Sequence, residues 1–108
     1  MSEVTQKVFN ALADTTRRSI IDILTTQGAH TATQLSQDME ITRQGVTKHI
    51  NILIDAGLIS TRKQGREVYY DVTPSPLANA TQWISNIEAQ WDKRLSALQN
   101  LIEDQSNS

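Results

Sequence analysis

Arg43, Gln44, Thr47, Lys48 and Asn51 recur in the stretch TRQGVTKHIN at spacings that share one side of a helix. Every member of the set carries a hydrogen-bonding group, two are cations and none is an acid. That chemistry suits a major groove. Side-chain amides match adenine edges, a guanidinium matches guanine or phosphate, a lysine neutralises phosphate, and a threonine methyl meets thymine. The opposite side of the wheel carries Val46, His49, Ile50 and Leu53, a face suited to burial. An ordinary solvated helix face is also polar, so the set by itself leaves both readings open.

The elements that must position this set are legible around it. Thr33 is a candidate N-cap for a short helix through Leu35 and Met39, and Glu40, Ile41 and Thr42 form a three-residue connection. Thr42 is a second N-cap candidate, opening a helix that Gly57 closes as a C-cap. Two helices joined this way predict a helix-turn-helix over residues 33–57.

Past Gly57 the period changes. Residues 58–63 and 66–72 are rich in β-branched and aromatic types, with Gln64-Gly65 between them as a turn. Val68, Tyr70 and Val72 alternate onto one face. Lys63, Gln64 and Arg66 occupy the tip, where they would lie along DNA backbone or minor groove if the hairpin is the wing of a winged helix; solubility alone also favours polar tips. From Ile41 to Arg66 the cations Arg43, Lys48, Arg62, Lys63 and Arg66 face Asp55 alone, on a chain of net charge −2. A local positive field on an acidic protein fits one nucleic-acid-facing surface.

Upstream, residues 4–13 place Val4, Val8 and Leu12 on one stripe, and Asp14 caps a second helix ending at Gly28 with Ile20, Ile21 and Leu24 inward. Asp14, Arg18 and Asp22 lie four apart, so Arg17 and Arg18 read as an ion-paired, solvated face in preference to phosphate contacts, since neither belongs to the basic cluster. Downstream, Thr73-Pro74-Ser75-Pro76 stops the strand. Ser75 is then a cap with Pro76 at the first position of a long helix over residues 76–103. Its apolar stripe includes Trp83, Ile84, Ile87, Trp91, Leu95, Leu98 and Ile102, broken by Arg94. One small domain cannot cover a stripe of that length, so the expected cover is the same helix, with the 4–13 helix, of a second copy. Gln105 to Ser108 reads as a frayed tail.

Other chemistries find little support. There is no cysteine, which removes disulfides, thiolate metal sites and cysteine nucleophiles and makes the cytoplasm the expected compartment. The two histidines, His30 and His49, are isolated. No base-paired serine scaffold or glycine-rich phosphate loop is present, so no enzyme is expected. No apolar run approaches the ~18 residues of a membrane span, and no charged-then-apolar leader opens the chain.

With this order in place, residues 9–24 (FNALADTTRRSIIDIL), 33–59 and 63–72 (KQGREVYYDV) make the chain resemble a bacterial ArsR/SmtB-type transcriptional repressor. Residues 83–104 resemble a non-metal-sensing subgroup through Trp91, Asp92, Arg94 and Leu95. The resemblance implies a homodimer whose two recognition helices enter successive major grooves of a pseudo-palindromic operator. Carried over by position, it assigns DNA contact to Thr42, Arg43, Gln44, Thr47, Lys48 and His49, and to Arg66 in the wing. Thr15 departs from a usual proline. Gly45 departs from a proline or small residue, a change that would loosen the helix start by about 1 kcal/mol relative to alanine. The family's cysteine and last-helix histidine metal sites have no counterpart, so neither metal nor cofactor is expected.

The expectation is a single domain over residues 1–108, mainly α (α+β), a winged helix-turn-helix in the order α-α-α-α-β-β-α with the terminal helices at a dimer interface. Double-stranded DNA and a second copy are the expected partners, with no membrane; operator and inducer are not specified. The competing reading is a winged-helix protein-interaction module with little DNA binding.

Overall fold

The computed structural model describes residues 2–106. Its elements are α1 (Glu3–Leu12), α2 (Thr15–Gln27), α3 (Ala32–Met39), α4 (Arg43–Asp55), β1 (Ile59–Gln64), β2 (Glu67–Val72) and α5 (Ser75–Ser106), the expected order. Side-chain oxygens mark the starts of the first four helices. Asp14 accepts from Arg17 N at 3.0 Å and Thr42 from Gly45 N at 3.0 Å, each satisfying an orphan amide. The cap expected at Thr33 is instead Thr31, whose hydroxyl accepts from Gln34 N while the Gln34 side chain accepts from Thr31 N. The glutamine completes a capping box. Thr33 has Ser36 at the equivalent place, and that hydroxyl donates to Ile41 O.

Helix ends explain two further departures. The last residue before the turn after α4 is Ala56, and Gly57 follows it at φ +77°. Gly57 N donates to Ile54 O and Leu58 N to Leu53 O, both at 2.9 Å, which is the paired bonding of a Schellman end. Arg17 and Arg18 do not pair along α2. Arg17 Nε donates to Ala11 O at 2.7 Å and its second terminal nitrogen to Asn10 O at 3.2 Å, while Arg18 donates to Leu12 O at 2.6 Å. Both guanidiniums therefore satisfy carbonyls at the C-terminal end of α1, where cations are favoured.

The core draws Val8 and Ala11 from α1, Ile20 and Leu24 from α2, Leu35 from α3, and Val46, Ile50 and Leu53 from α4. Val8 is wholly inside this core, so it is not surface that a second subunit could cover; Val4, one turn earlier, is exposed. Wing register runs from Ile59↔Val72 to Gln64↔Glu67, which makes Gly65-Arg66 the loop rather than Gln64-Gly65. Gly65, at φ +64°, takes the first loop position, where a type II′ turn requires glycine. On its other edge β2 meets His30, whose backbone exchanges hydrogen bonds with Tyr70 at 3.1 and 2.8 Å. One residue of the α2–α3 link thus covers an edge that would otherwise offer unpaired amides.

α5 starts at Ser75, one residue earlier than expected, and continues through Ser106, so Gln105 and Ser106 are helical; residues 107–108 of the expected tail lie outside the described residues. Its first turns touch the domain, through partly buried Leu77, buried Ala80 and the edge-on Phe9–Trp83 contact among others. The remainder projects. The long dimension is 76 Å and the radius of gyration 20.3 Å, against about 13 Å for a compact domain near this length. Arg94, which breaks the apolar stripe, lies over the Trp91 ring at 5.8 Å.

Candidate nucleic-acid interface

Burying Val46, Ile50 and Leu53 against the core turns the other side of α4 outward. Thr42, Arg43, Gln44, Lys48 and Asn51 are all exposed on it, and Thr47 is partly so. Local bonding limits what some of them can offer. Thr42 Oγ1 accepts from Gly45 N, which leaves its O–H free to donate. Thr47 donates its hydroxyl to Arg43 O at 2.9 Å, so what it leaves outward is acceptor lone pairs and a methyl. Gly45 has a local reason. A Cβ there would press on Thr42 Oγ1 at 3.1 Å, so alanine's better helix propensity would be offset by crowding of the cap.

The wing places Lys63, Gln64 and Arg66 at its exposed tip. Arg66 and Arg43, the latter at the start of α4, line one groove of about 220 Å³ together with Thr31, Thr33 and Glu67. The two arginines come from different elements and converge only because the hairpin folds back beside the N-terminus of α3. Glu67 is the acid in this groove. Arg62, counted in the basic cluster by sequence, lies over the Tyr69 ring at 5.9 Å, the residue it faces across the ladder. Asp55, the single acid of the 41–66 stretch, sits at the far end of α4 and pairs with Lys7 at 3.5 Å. The N-terminal half of α4 therefore carries no acid.

His49 stands apart from the outward set. It lies on the flank of α4 facing α2, with Nδ1 3.4 Å from an Arg17 terminal nitrogen and 3.8 Å from Asp14 Oδ2. Asp14 ionises below the ordinary carboxylate range, chiefly because the Arg17 backbone N–H bonds its charged form, with the Arg17 charge assisting. His30 is occupied elsewhere, its Nδ1 2.7 Å from Gly28 O and its Nε2 3.5 Å from Asp38. Among the described residues no group of three or more His, Asp or Glu side chains is placed to hold a metal ion. No helix there is long and apolar enough to cross a membrane.

Sequence reasoning missed two apolar residues on α4, Ile52 and Ile54, which are more than a third exposed in its C-terminal half. It placed Arg17 on a solvated, ion-paired face, whereas the structure seats it on the α1 carbonyls and within reach of His49, a tertiary feature.

A helix-turn-helix domain model matches residues 12–62. Transcriptional repressor SdpR of Bacillus subtilis is 33% identical over 88 residues, spanning 82% of this chain and 97% of the relative. An ArsR-like transcriptional regulator from Rhodococcus sp. RHA1 superposes with a TM-score of 0.85 at 33% identity, covering 94% of this chain and 92% of that one. At 20% identity and a TM-score of 0.64, Mb0332 from Mycobacterium bovis, a homodimeric winged helix-turn-helix DNA-binding domain, shares the fold over 86% of this chain and 82% of its own.

Proposed function

The chain belongs to the ArsR family of winged helix-turn-helix transcriptional regulators, and from that premise we propose that it is a homodimeric repressor that binds a pseudo-palindromic operator. The observation that carries this reading is the convergence of Arg43 and Arg66 on one groove beside the exposed, acid-free first half of α4. In this arrangement α4 enters the major groove. Gln44 and Asn51 read adenine edges, Thr47 meets a thymine methyl, and Lys48 with Arg43 grips phosphate or guanine. Thr42 donates to phosphate at the helix start, and Lys63, Gln64 and Arg66 hold the flanking backbone.

Operator binding by two copies requires the second interface. Trp83, Ile84, Trp91, Leu95, Leu98 and Ile102 are all more than a third exposed along the projecting α5, and Ile87 is partly buried. A stripe of that size left in water is the mark of an interface, and its α-helical neighbour Val4 together with partly buried Leu12 on α1 extends it. A second copy of α5 covers it with the same residues, as twofold symmetry demands. SdpR is a repressor and Mb0332 a homodimer, which supports both halves of the reading. We infer further that release from DNA does not depend on a thiolate or histidine metal site. The chain has no cysteine, α5 has no histidine, and both histidines are engaged elsewhere.

The test is selection of bound duplexes from a random pool by the full chain, followed by titration of the selected sequences at several salt concentrations. The expected product is a pseudo-palindrome with half-sites about 34 Å apart, bound by two protomers. Its log affinity should fall linearly with log salt. Absence of duplex binding even near ~50 mM salt would overturn the proposal and leave a protein-interaction module.

A further inference from the structure

Arg17 commits all three guanidinium nitrogens. Nε and one terminal nitrogen hold the carbonyls of Ala11 and Asn10, and the other terminal nitrogen meets His49 Nδ1 at 3.4 Å. A guanidinium can only donate, so this contact requires an unprotonated Nδ1. A neutral imidazole that accepts through Nδ1 carries its proton on Nε2. Among the described residues Nε2 has no partner, and 26% of the His49 side chain is exposed. The Asp14 carboxylate, the other charged group beside this ring, lies 3.8 Å from Nδ1, beyond hydrogen-bond range.

We propose that Arg17 is a positioning residue for DNA binding: held by the α1 carbonyls, it fixes His49 as the neutral tautomer whose Nε2–H donates to a backbone phosphate. The inference rests on the repressor reading and adds to it a residue outside the helix-turn-helix. It also specifies what the histidine does. His49 is a neutral donor on the flank of α4 and not a reader of bases, because Nδ1 is occupied and a single N–H cannot make the paired contacts that distinguish one base from another. Because Arg17 is itself seated on α1, which also bears on α5 through Phe9 and Trp83, the donor's aim depends on how the terminal helices sit against the reading head.

The tautomer is measured in the free, full-length wild-type protein at neutral pH, by long-range proton–nitrogen NMR of the His49 ring. An unprotonated Nδ1 and a protonated Nε2 are expected; the reverse pattern would overturn the proposal. Duplex affinity then tests the role. His49→Gln keeps an acceptor for Arg17 and a donor for phosphate, so it should bind selected duplex within about twofold of wild type, whereas His49→Ala should lose about three- to tenfold. Equal losses in the two variants would count against the assignment. Arg17→Gln should weaken binding in the wild-type background and have no further effect on top of His49→Ala. A purely structural arginine would cost the same in both backgrounds, and that result would overturn the role. If wild type showed the expected tautomer but bound no duplex, the repressor reading would fall and this role with it.

Discussion

The Phe9 ring meets the Trp83 ring edge-on, with centroids 5.6 Å apart and planes at 69°. This is where α5 leaves the domain. N-terminal to it, Leu77 and Ala80 are packed into the core; C-terminal to it, Trp91, Leu95, Leu98, Leu101 and Ile102 are each more than half exposed. The contact therefore fixes the angle at which an otherwise uncovered helix is presented. Phe9→Leu keeps much of the buried area but loses the aromatic geometry. It should lower stability by about 0.5–1.5 kcal/mol in urea unfolding, with a change in Trp83 emission.

Leu98→Glu tests what the projecting segment is for. Leu98 is 54% exposed and touches no core residue, so a charge there cannot damage the subunit's own packing. Light scattering should show the variant shifting towards a monomer at micromolar concentration. Affinity for a two-half-site duplex should fall by about 10²-fold or more as bivalency is lost. A variant that stayed dimeric would place the interface elsewhere.

The elements were readable because each helix carries a chemical start signal and a 3.6-residue apolar period, and the wing a change to period two. What escaped was decided by tertiary geometry. Thr31 and Thr33 are both credible caps, and the choice turns on Gln34 reciprocating the bond. Asp14, Arg18 and Asp22 have ion-pair spacing, yet the arginines find the orphan carbonyls of α1, which no periodicity within α2 reveals. One residue of slip in the turn follows from where a type II′ loop wants its glycine. For the candidate site, the outward face of α4 was legible from spacing alone. The groove shared by Arg43 and Arg66, and the contact of Arg17 with His49, join residues 23 and 32 positions apart, which only the fold brings together.

Gln44 and Lys63 separate reading from gripping. Gln44→Ala removes an amide from the middle of the exposed α4 face, so discrimination between selected and scrambled duplex should fall by about 1–3 kcal/mol. Lys63→Ala, at the wing tip, should weaken both duplexes alike and reduce the salt slope by about one. Equal loss on both duplexes for the Gln44 variant would contradict its role as a reader.

Asp14 sets an acid limit on stability. Its carboxyl is held below the ordinary value, first by the Arg17 amide and then by neighbouring positive charge. A depressed carboxylate stabilises the fold fully above its unfolded value, and that contribution is lost as pH falls through the folded value. Asparagine caps a helix as well as aspartate does, so Asp14→Asn isolates the charge. The difference in urea midpoint between wild type and variant should hold from neutrality down to roughly pH 4 and shrink below it. A difference that persisted unchanged well below that pH would show that the charge was not its source.

α3 and α4 both end against a left-handed residue, with different side chains at that position and different amide bonding. After α4 it is Gly57, at φ +77°, in the paired Schellman pattern; after α3 it is Glu40, at φ 55° and ψ 39°, where the Glu40 and Ile41 amides both donate to Ser36 O, the latter at 3.3 Å. A side chain in this conformation costs about 1–2 kcal/mol that glycine avoids. Glu40 is exposed, and its only described backbone bond is the capping N–H to Ser36 O, which any residue supplies. Glu40→Gly should therefore raise stability, by somewhat less than that figure because glycine also gains freedom in the unfolded chain. The reciprocal change, Gly57→Ala, should lower stability, since the added Cβ takes on the strain and also meets Pro76 Cγ at 3.3 Å, at the root of α5. Paired thermal melts check both. If Glu40→Gly melted lower than wild type, the glutamate would have to be making a contact worth more than its backbone strain.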